Sequence, residues 1–255
     1  MHQDEIDMMS INDIELLFWK GRTRPPESTL KSIYVHKSLK FVSALDAAIG
    51  EVHPRRMIEV GVLDGGSTIY WQAKYQPECL ITFDLNSGAP NLVAYVQRNR
   101  LTDSVHSYFG VSQADSDVLR GLVARHLPGQ LVDVVIDDAS HRFAETRTTL
   151  ETLLPFVRPG GIYIIEDWAW GHGVNWPLDL WDDRPLLSPL LVEPVLISAS
   201  GKNVIDSVEI NPMFALLRRG TAQLPLDGSF RLTDYYIPRG FSITLNDQLG
   251  EPPQL

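Results

Sequence analysis

Five short apolar runs rich in β-branched residues, separated by helix-length segments, set the narrowest limits on what this chain can fold into. They are RMIEVGV (56–62), CLITFDL (79–85), VHSYFG (105–110), LVDVVI (131–136) and GIYIIED (161–167). Strand, helix, strand is the pattern of parallel βαβ units, and near-continuous apolar runs are what strands covered on both faces require. Between the runs, DSDVLRGLVARHL sets Val118, Leu119, Leu122, Val123 and His126 on one helical face. HRFAETRTTLETLL does the same with Phe143, Arg147, Leu150 and Leu154. LPG at 127–129 and RPGG at 158–161 stop these segments.

Further on, VIDSVEI and MFALLRR flank an Asn-Pro pair and predict a closing antiparallel hairpin. The expected fold is therefore α/β, a Rossmann-like, doubly wound, mostly parallel seven-stranded sheet with an antiparallel last strand. SPLLVEPVLISAS (188–200) reads as a helix opening on Pro189, with Pro194 inside it. Residues 1–52 read as an N-terminal helical segment covering an edge or face of the sheet, YVHKSLKFVSALDAAIG being its clearest part. Residues 53–220 form the ligand-binding domain, and 221–255 a C-terminal extension.

With 255 residues, 44% of them hydrophobic, the chain can bury a substantial core. A formal net charge of −10 argues against a nucleic-acid partner. Cys79 is the only cysteine, which rules out an intramolecular disulfide framework and a cysteine-rich zinc site. The first residues are acidic where a secretory signal is basic, and no apolar run has the length of a membrane span, so the expectation is a cytoplasmic protein with no membrane partner. Long terminal segments and acidic balance are compatible with a homo-oligomer.

IEVGVLDGGSTIYW (58–71) places Glu59, Gly61, Gly65, Gly66 and Ser67 at a strand-to-helix turn. Glycines there let backbone approach a ligand at the carboxyl edge of an open α/β sheet. A dinucleotide fingerprint would need glycine at Leu63, so a nucleoside without a pyrophosphate fits better. Asp84, ending the second run, is placed to accept from ribose hydroxyls. Asp115, after the third run, either meets an adenine amino group or caps the following helix. Alone, the glycine turn is also consistent with a tight strand-helix connection.

Asp137, Asp138, Glu166 and Asp167 end two runs that should be neighbours in the sheet. Clustered carboxylates repel one another unless a cation or a shared proton compensates, and hard oxygen donors suit Mg²⁺, Mn²⁺ or Ca²⁺. Any one of them could instead cap a helix; for all four together that account is strained. His141, three residues past Asp138, can reach back over the same crevice, and imidazole ionises near neutrality as a general base should. His172 is a second candidate base nearby, and with Trp168, Trp170 and Trp176 its segment looks like an aromatic wall over the site, with a buried core turn as the alternative.

Taken together, IEVGVLDGGSTIYW, FDLN, VVIDDASHR and VRPGGIYIIEDW resemble the class I S-adenosylmethionine-dependent methyltransferases. They resemble most the metal-dependent macrocin and mycinamicin sugar O-methyltransferases and the related cephalosporin-hydroxylase group, strongly over residues 56–170. The resemblance implies that Glu59, Gly61, Gly65, Gly66 and Ser67 line the methionine and ribose of S-adenosylmethionine, with Asp84 on the ribose; Asp115 and Asp137 are read beside them, on the cofactor side, from their places at the strand ends. It implies Asp138, Glu166 and Asp167 as ligands of Mg²⁺ (or Mn²⁺), His141 as base, and natural-product tailoring as the setting; Trp168 and His172 are expected, from their place after the last acidic strand, near a hydroxyl-bearing small-molecule substrate. Ala139 departs from the glycine common at this place in the family, and keeps the turn only if its φ is negative.

Two other expectations stand beside this one. An iron-dependent hydroxylase would use Asp138, His141 and His172 as a two-histidine, one-carboxylate set, which leaves Glu166 and Asp167 without a role. A binding protein, or an S-adenosylmethionine-dependent pericyclase or lyase, would keep the loop without methyl transfer.

Overall fold

The computed structural model describes residues 6–19, 27–172 and 186–239 of the chain. Its main sheet has seven strands in the order β6-β5-β4-β7-β8-β10-β9. These are β4 (Arg56–Val60), β5 (Cys79–Asp84), β6 (Val105–Phe109), β7 (Val132–Asp137), β8 (Val157–Glu166), β9 (Ile205–Ile210) and β10 (Phe214–Arg219). β4 to β8 are parallel where they pair, and β10 runs antiparallel to both β8 and β9.

The five apolar runs are these parallel strands, and their residues divide by alternation between the two faces. Ile58, Val60, Ile81, Phe83, Val135, Tyr163 and Ile165 join one buried cluster. Met57, Leu80, Val134, Ile136, Ile162 and Ile164 join the other. Burial on both sides removes any solvated face, and each such side chain contributes roughly 1.5–3 kcal/mol to the folded state.

Helices α2 (Gly66–Tyr75), α3 (Pro90–Arg98), α4 (Ser116–His126) and α5 (Phe143–Leu153) carry the chain between the strands, and α6 (Ser188–Ser198) begins at the expected proline. α4 turns Leu119, Leu122 and Val123 inward and leaves Val118 at the surface. The described part of the C-terminal segment inserts Phe230 and Leu232 into the first cluster. Among the described residues, no helix is long and apolar enough to cross a membrane.

The N-terminal segment differs from its helical expectation. Before the helix α1 (Leu39–Val52) come three strands, β1 (Asp7–Ile11), β2 (Ile14–Phe18) and β3 (Ser32–Val35), in a separate sheet. Asn12, at φ 53°, makes a two-residue turn between the paired Ile11 and Ile14. On β2, Ile14, Leu16 and Phe18 are buried while Glu15 faces solvent. A period of two serves this half-buried sheet, whereas helical spacing would have split those residues between faces. α1 itself starts one residue after Ser38, whose hydroxyl accepts from the Phe41 amide at 3.1 Å.

The sheet order reverses between β4 and β7. Such a reversal, at the carboxyl ends of the strands, is where open α/β sheets bind ligands.

Candidate active site

The loop after β4 is held from below by two acids. Asp84 Oδ2 accepts from the Val62 and Leu63 amides at 2.7 and 2.8 Å, and Oδ1 accepts from the Asn86 amide at 2.7 Å. These bonds fix Leu63 at φ 50°, so leucine takes the left-handed turn that glycine would occupy in a dinucleotide fingerprint. Glu59 is buried and accepts from Thr68 Oγ1 at 2.5 Å and Trp71 Nε1 at 3.2 Å, with Ser67 as a further donor. Burial raises its pKa, and the three donors tie β4 to the first two turns of α2.

Gly61 and Gly66 admit other parts of the protein. At Gly61, φ is +90° and a Cβ would lie 2.1 Å from the Asp138 carbonyl oxygen. At Gly66 a Cβ would lie 2.4 Å from the Tyr34 carbonyl oxygen at the end of β3. Gly65 adopts φ +88° beside Leu92. The glycine loop is therefore in contact with the acidic loop on one side and the N-terminal sheet on the other. Asp115 is exposed and caps α4, accepting from the Val118 amide at 3.1 Å.

The acids after β7 and β8 have a different environment. Asp137 is buried, accepting from Tyr163 Oη at 2.9 Å and Gln113 Nε2 at 3.3 Å. Burial, with the neighbouring Asp138 charge, pushes its pKa up to about 7 against the pull of those two donors. Gln113 also donates to Thr149 at 3.0 Å and accepts from the Ser140 amide at 2.8 Å, so one buried amide braces the 138–141 turn. Ala139 stays out of the left-handed region, and the turn accommodates it without strain.

Asp138, His141 and Asp167 each offer a ligand atom within 4.8 Å of the other two. His141 Nε2 is 3.9 Å from Asp138 Oδ1, and the Trp170 ring meets the imidazole edge-to-face at 5.5 Å. His141 at φ 53° and Asp167 at φ 52° both hold left-handed backbone, a strain of order 1–3 kcal/mol each that clusters where function over-determines conformation. Burial, then the Asp138 charge, raises the pKa of Asp167.

Glu166 is 1% exposed; its Oε2 contacts Lys37 Nζ at 3.0 Å and its Oε1 is buried with no partner. Burial, then Asp138, raises its pKa. Lys37, between β3 and α1, also pairs with Asp138 Oδ2. Desolvation opposes the buried ammonium, but the two carboxylates outweigh it and raise its pKa. A divalent cation fits Asp138, Asp167 and His141, hard oxygens from two adjacent strands with an imidazole beside them; Glu166, expected as a third acid ligand, lies outside that group, on Lys37, with its other oxygen buried and unpartnered.

Trp168 donates to the Asn211 carbonyl at 2.7 Å and packs on the core. His172 is exposed and pairs with Ser188 Oγ at 2.9 Å, apart from the Asp138 group, so the hydroxylase set of Asp138, His141 and His172 is not assembled among the described residues. Trp176 lies outside them. Lys37, Gln113 and Tyr163 were not singled out from sequence.

Residues 58–168 match a family model described as a methyltransferase domain. The chain is 32% identical over 162 residues to demethylmacrocin O-methyltransferase of Streptomyces fradiae, covering 60% of this chain and 35% of that one. It is 33% identical over 122 residues to 8-demethyl-8-(2-methoxy-alpha-L-rhamnosyl)-tetracenomycin-C 3'-O-methyltransferase of Streptomyces olivaceus, covering 45% and 28%. The chain thus spans about a third of the length of these relatives. Among solved structures, the MycE methyltransferase of the mycinamycin biosynthetic pathway, in complex with Mg, SAH and mycinamycin VI, superposes with a TM-score of 0.54 at 24% identity, over 71% of this chain and 50% of that one.

Proposed function

We propose that the chain is a class I S-adenosylmethionine-dependent methyltransferase, in keeping with the methyltransferase-domain match over residues 58–168, and that it methylates a hydroxyl of a small natural product. A sugar hydroxyl on a macrolide or polyketide is the acceptor class favoured by relatives named for demethylmacrocin and a rhamnosyl tetracenomycin. The observation that carries this is the meeting, at one sheet edge, of the Asp84-braced glycine loop with Asp138, His141, Asp167 and the half-partnered Glu166.

In this reading Gly61, Gly65, Gly66 and Ser67 bound the space for the methionine and ribose of S-adenosylmethionine. Asp84 keeps a lone pair for ribose, because its two oxygens accept only three amide bonds. Asp115 and Asp137 belong to the cofactor side, the first by capping α4 at the adenine end without a contact to the base and the second by bracing the loop through Gln113. Asp138, Glu166 and Asp167 would hold Mg²⁺ or Mn²⁺, which when bound makes a coordinated hydroxyl a stronger acid. His141 removes the hydroxyl proton at Nε2. Trp168 and His172 border the acceptor, and the aromatic rings keep water from the oxygen that attacks the methyl group.

The test is turnover: purified chain, S-adenosylmethionine and Mg²⁺ are offered rhamnosylated polyketides and macrolide glycosides, with S-adenosylhomocysteine and methylated product followed by mass spectrometry. Acceptor-dependent formation of both, stopped by EDTA, is the expected result. Turnover indifferent to chelation sinks the metal assignment; no binding of S-adenosylhomocysteine by calorimetry sinks the enzyme assignment.

A further inference from the structure

We propose that the Lys37 ammonium is a built-in rival of the metal: it binds Asp138 and Glu166 when no cation is present and lowers the affinity of their cluster for a divalent ion. This rests on the metal reading above, but concerns a residue outside the family-like segment. Lys37 stands 101 positions before Asp138 and reaches it from the N-terminal sheet.

The geometry is specific. Nζ contacts Asp138 Oδ2 and, at 3.0 Å, Glu166 Oε2, so it bridges carboxylates from two adjacent strands. Only 8% of the residue is exposed, and its charge lies 6.0 Å from the Phe41 ring centroid. Its backbone is pinned on both sides, by β3 ending at Val35 and by Ser38 capping α1. A lysine so enclosed has no solvated alternative, and its partners are two of the three acids assigned to the metal.

Two effects of Lys37 on the metal oppose each other. Its hydrogen bonds orient one oxygen of each acid and leave Glu166 Oε1 buried without a partner. Its positive charge repels a second cation on the same carboxylates across a buried, weakly screened distance. Repulsion between close like charges in a dry site exceeds the orientation carried by a pair of hydrogen bonds, so the net effect of Lys37 is to weaken metal binding. Three ionised acids and one ammonium leave two negative charges, which a single divalent ion matches.

Isothermal titration of Mn²⁺ into wild type, Lys37→Met and Lys37→Arg tests this at fixed pH and salt. Lys37→Met should bind Mn²⁺ about tenfold more tightly or better, melt below wild type without metal, and gain more from saturating Mn²⁺. Lys37→Arg should stay near wild type. In wild-type protein carrying ¹⁵N-labelled lysine, the slowly exchanging Lys37 NH₃⁺ resonance should shift on saturation with Mg²⁺, a readout that needs no variant to fold. Equal or weaker Mn²⁺ binding by a folded Lys37→Met protein, or a Lys37 resonance unmoved by Mg²⁺ that binds, overturns the rivalry alone. Failure of wild type and both variants to bind either ion overturns the metal reading and the rivalry with it.

Discussion

The two halves of the sheet's carboxyl edge are built on opposite terms. Around the glycine loop Glu59 and Asp84 are engaged inside the protein: Glu59 by Thr68 and Trp71, Asp84 by three backbone amides that leave it one lone pair. Around the acidic loop, carboxylates crowd together, one buried oxygen has no partner, and His141 and Asp167 hold left-handed backbone. A buried acid that is satisfied stabilises a shape, whereas one left short of a partner stores free energy that a bound ligand can release. The first half is a scaffold that exists without its ligand; the second is complete only with one.

The strongest way to break that contrast is His141→Ala. With an acceptor that turns over, kcat should fall about 10²–10⁴-fold for loss of a general base, while S-adenosylhomocysteine affinity measured by calorimetry stays at the wild-type value. A parallel loss of cofactor affinity would show that the two halves are one unit. Gly61→Ala asks the same question from the other side, because its methyl group would meet the Asp138 carbonyl oxygen at 2.1 Å with φ at +90°. Urea unfolding should show a loss of about 3 kcal/mol or more, and Mn²⁺ and S-adenosylhomocysteine affinities should drop together. If only one of them drops, the contact between the loops is incidental.

The contrast also explains what the sequence disclosed. Strands β4 to β8 are legible because burial on both faces forces continuous apolar runs, and their ends locate Asp84, Asp138 and Glu166 without further information. The N-terminal strands were hidden because Ile11, Ile14, Leu17 and Phe18 also recur at helical spacing; the overlooked signal was the Asn12-Asp13 pair between matched isoleucines, a hairpin turn. Lys37 was illegible for a different reason. A lysine beside a helix cap reads as solvated surface, and only the packing of β3 against Gly66 brings it into the acidic crevice. Gln113 likewise has no local mark, since its three partners, Asp137, Thr149 and Ser140, lie 24 to 36 positions away.

Two milder substitutions sharpen the comparison at its borders. Asp115→Ala removes the α4 cap, and chemical unfolding should register a loss of about 1 kcal/mol. Calorimetry should show unchanged S-adenosylhomocysteine affinity, in keeping with a cofactor half that depends on its scaffold; an affinity loss well beyond the stability loss would instead give Asp115 a direct contact with adenine.

Ala139→Gly carries the smallest effect and the most pointed question, because it restores the residue common in the family at the centre of the strained half. If the turn needed a left-handed residue at 139, glycine would relieve it and the variant would be more stable. The structure keeps Ala139 outside that region and loads the positive φ on His141 instead. Glycine then only adds freedom to the unfolded chain, and the variant should lose about 0.4–1 kcal/mol in urea unfolding with Mn²⁺ affinity unchanged. A gain in stability would move the strain from the imidazole-bearing residue to the one before Ser140, and with it the claim that His141 is held in place by the surrounding fold.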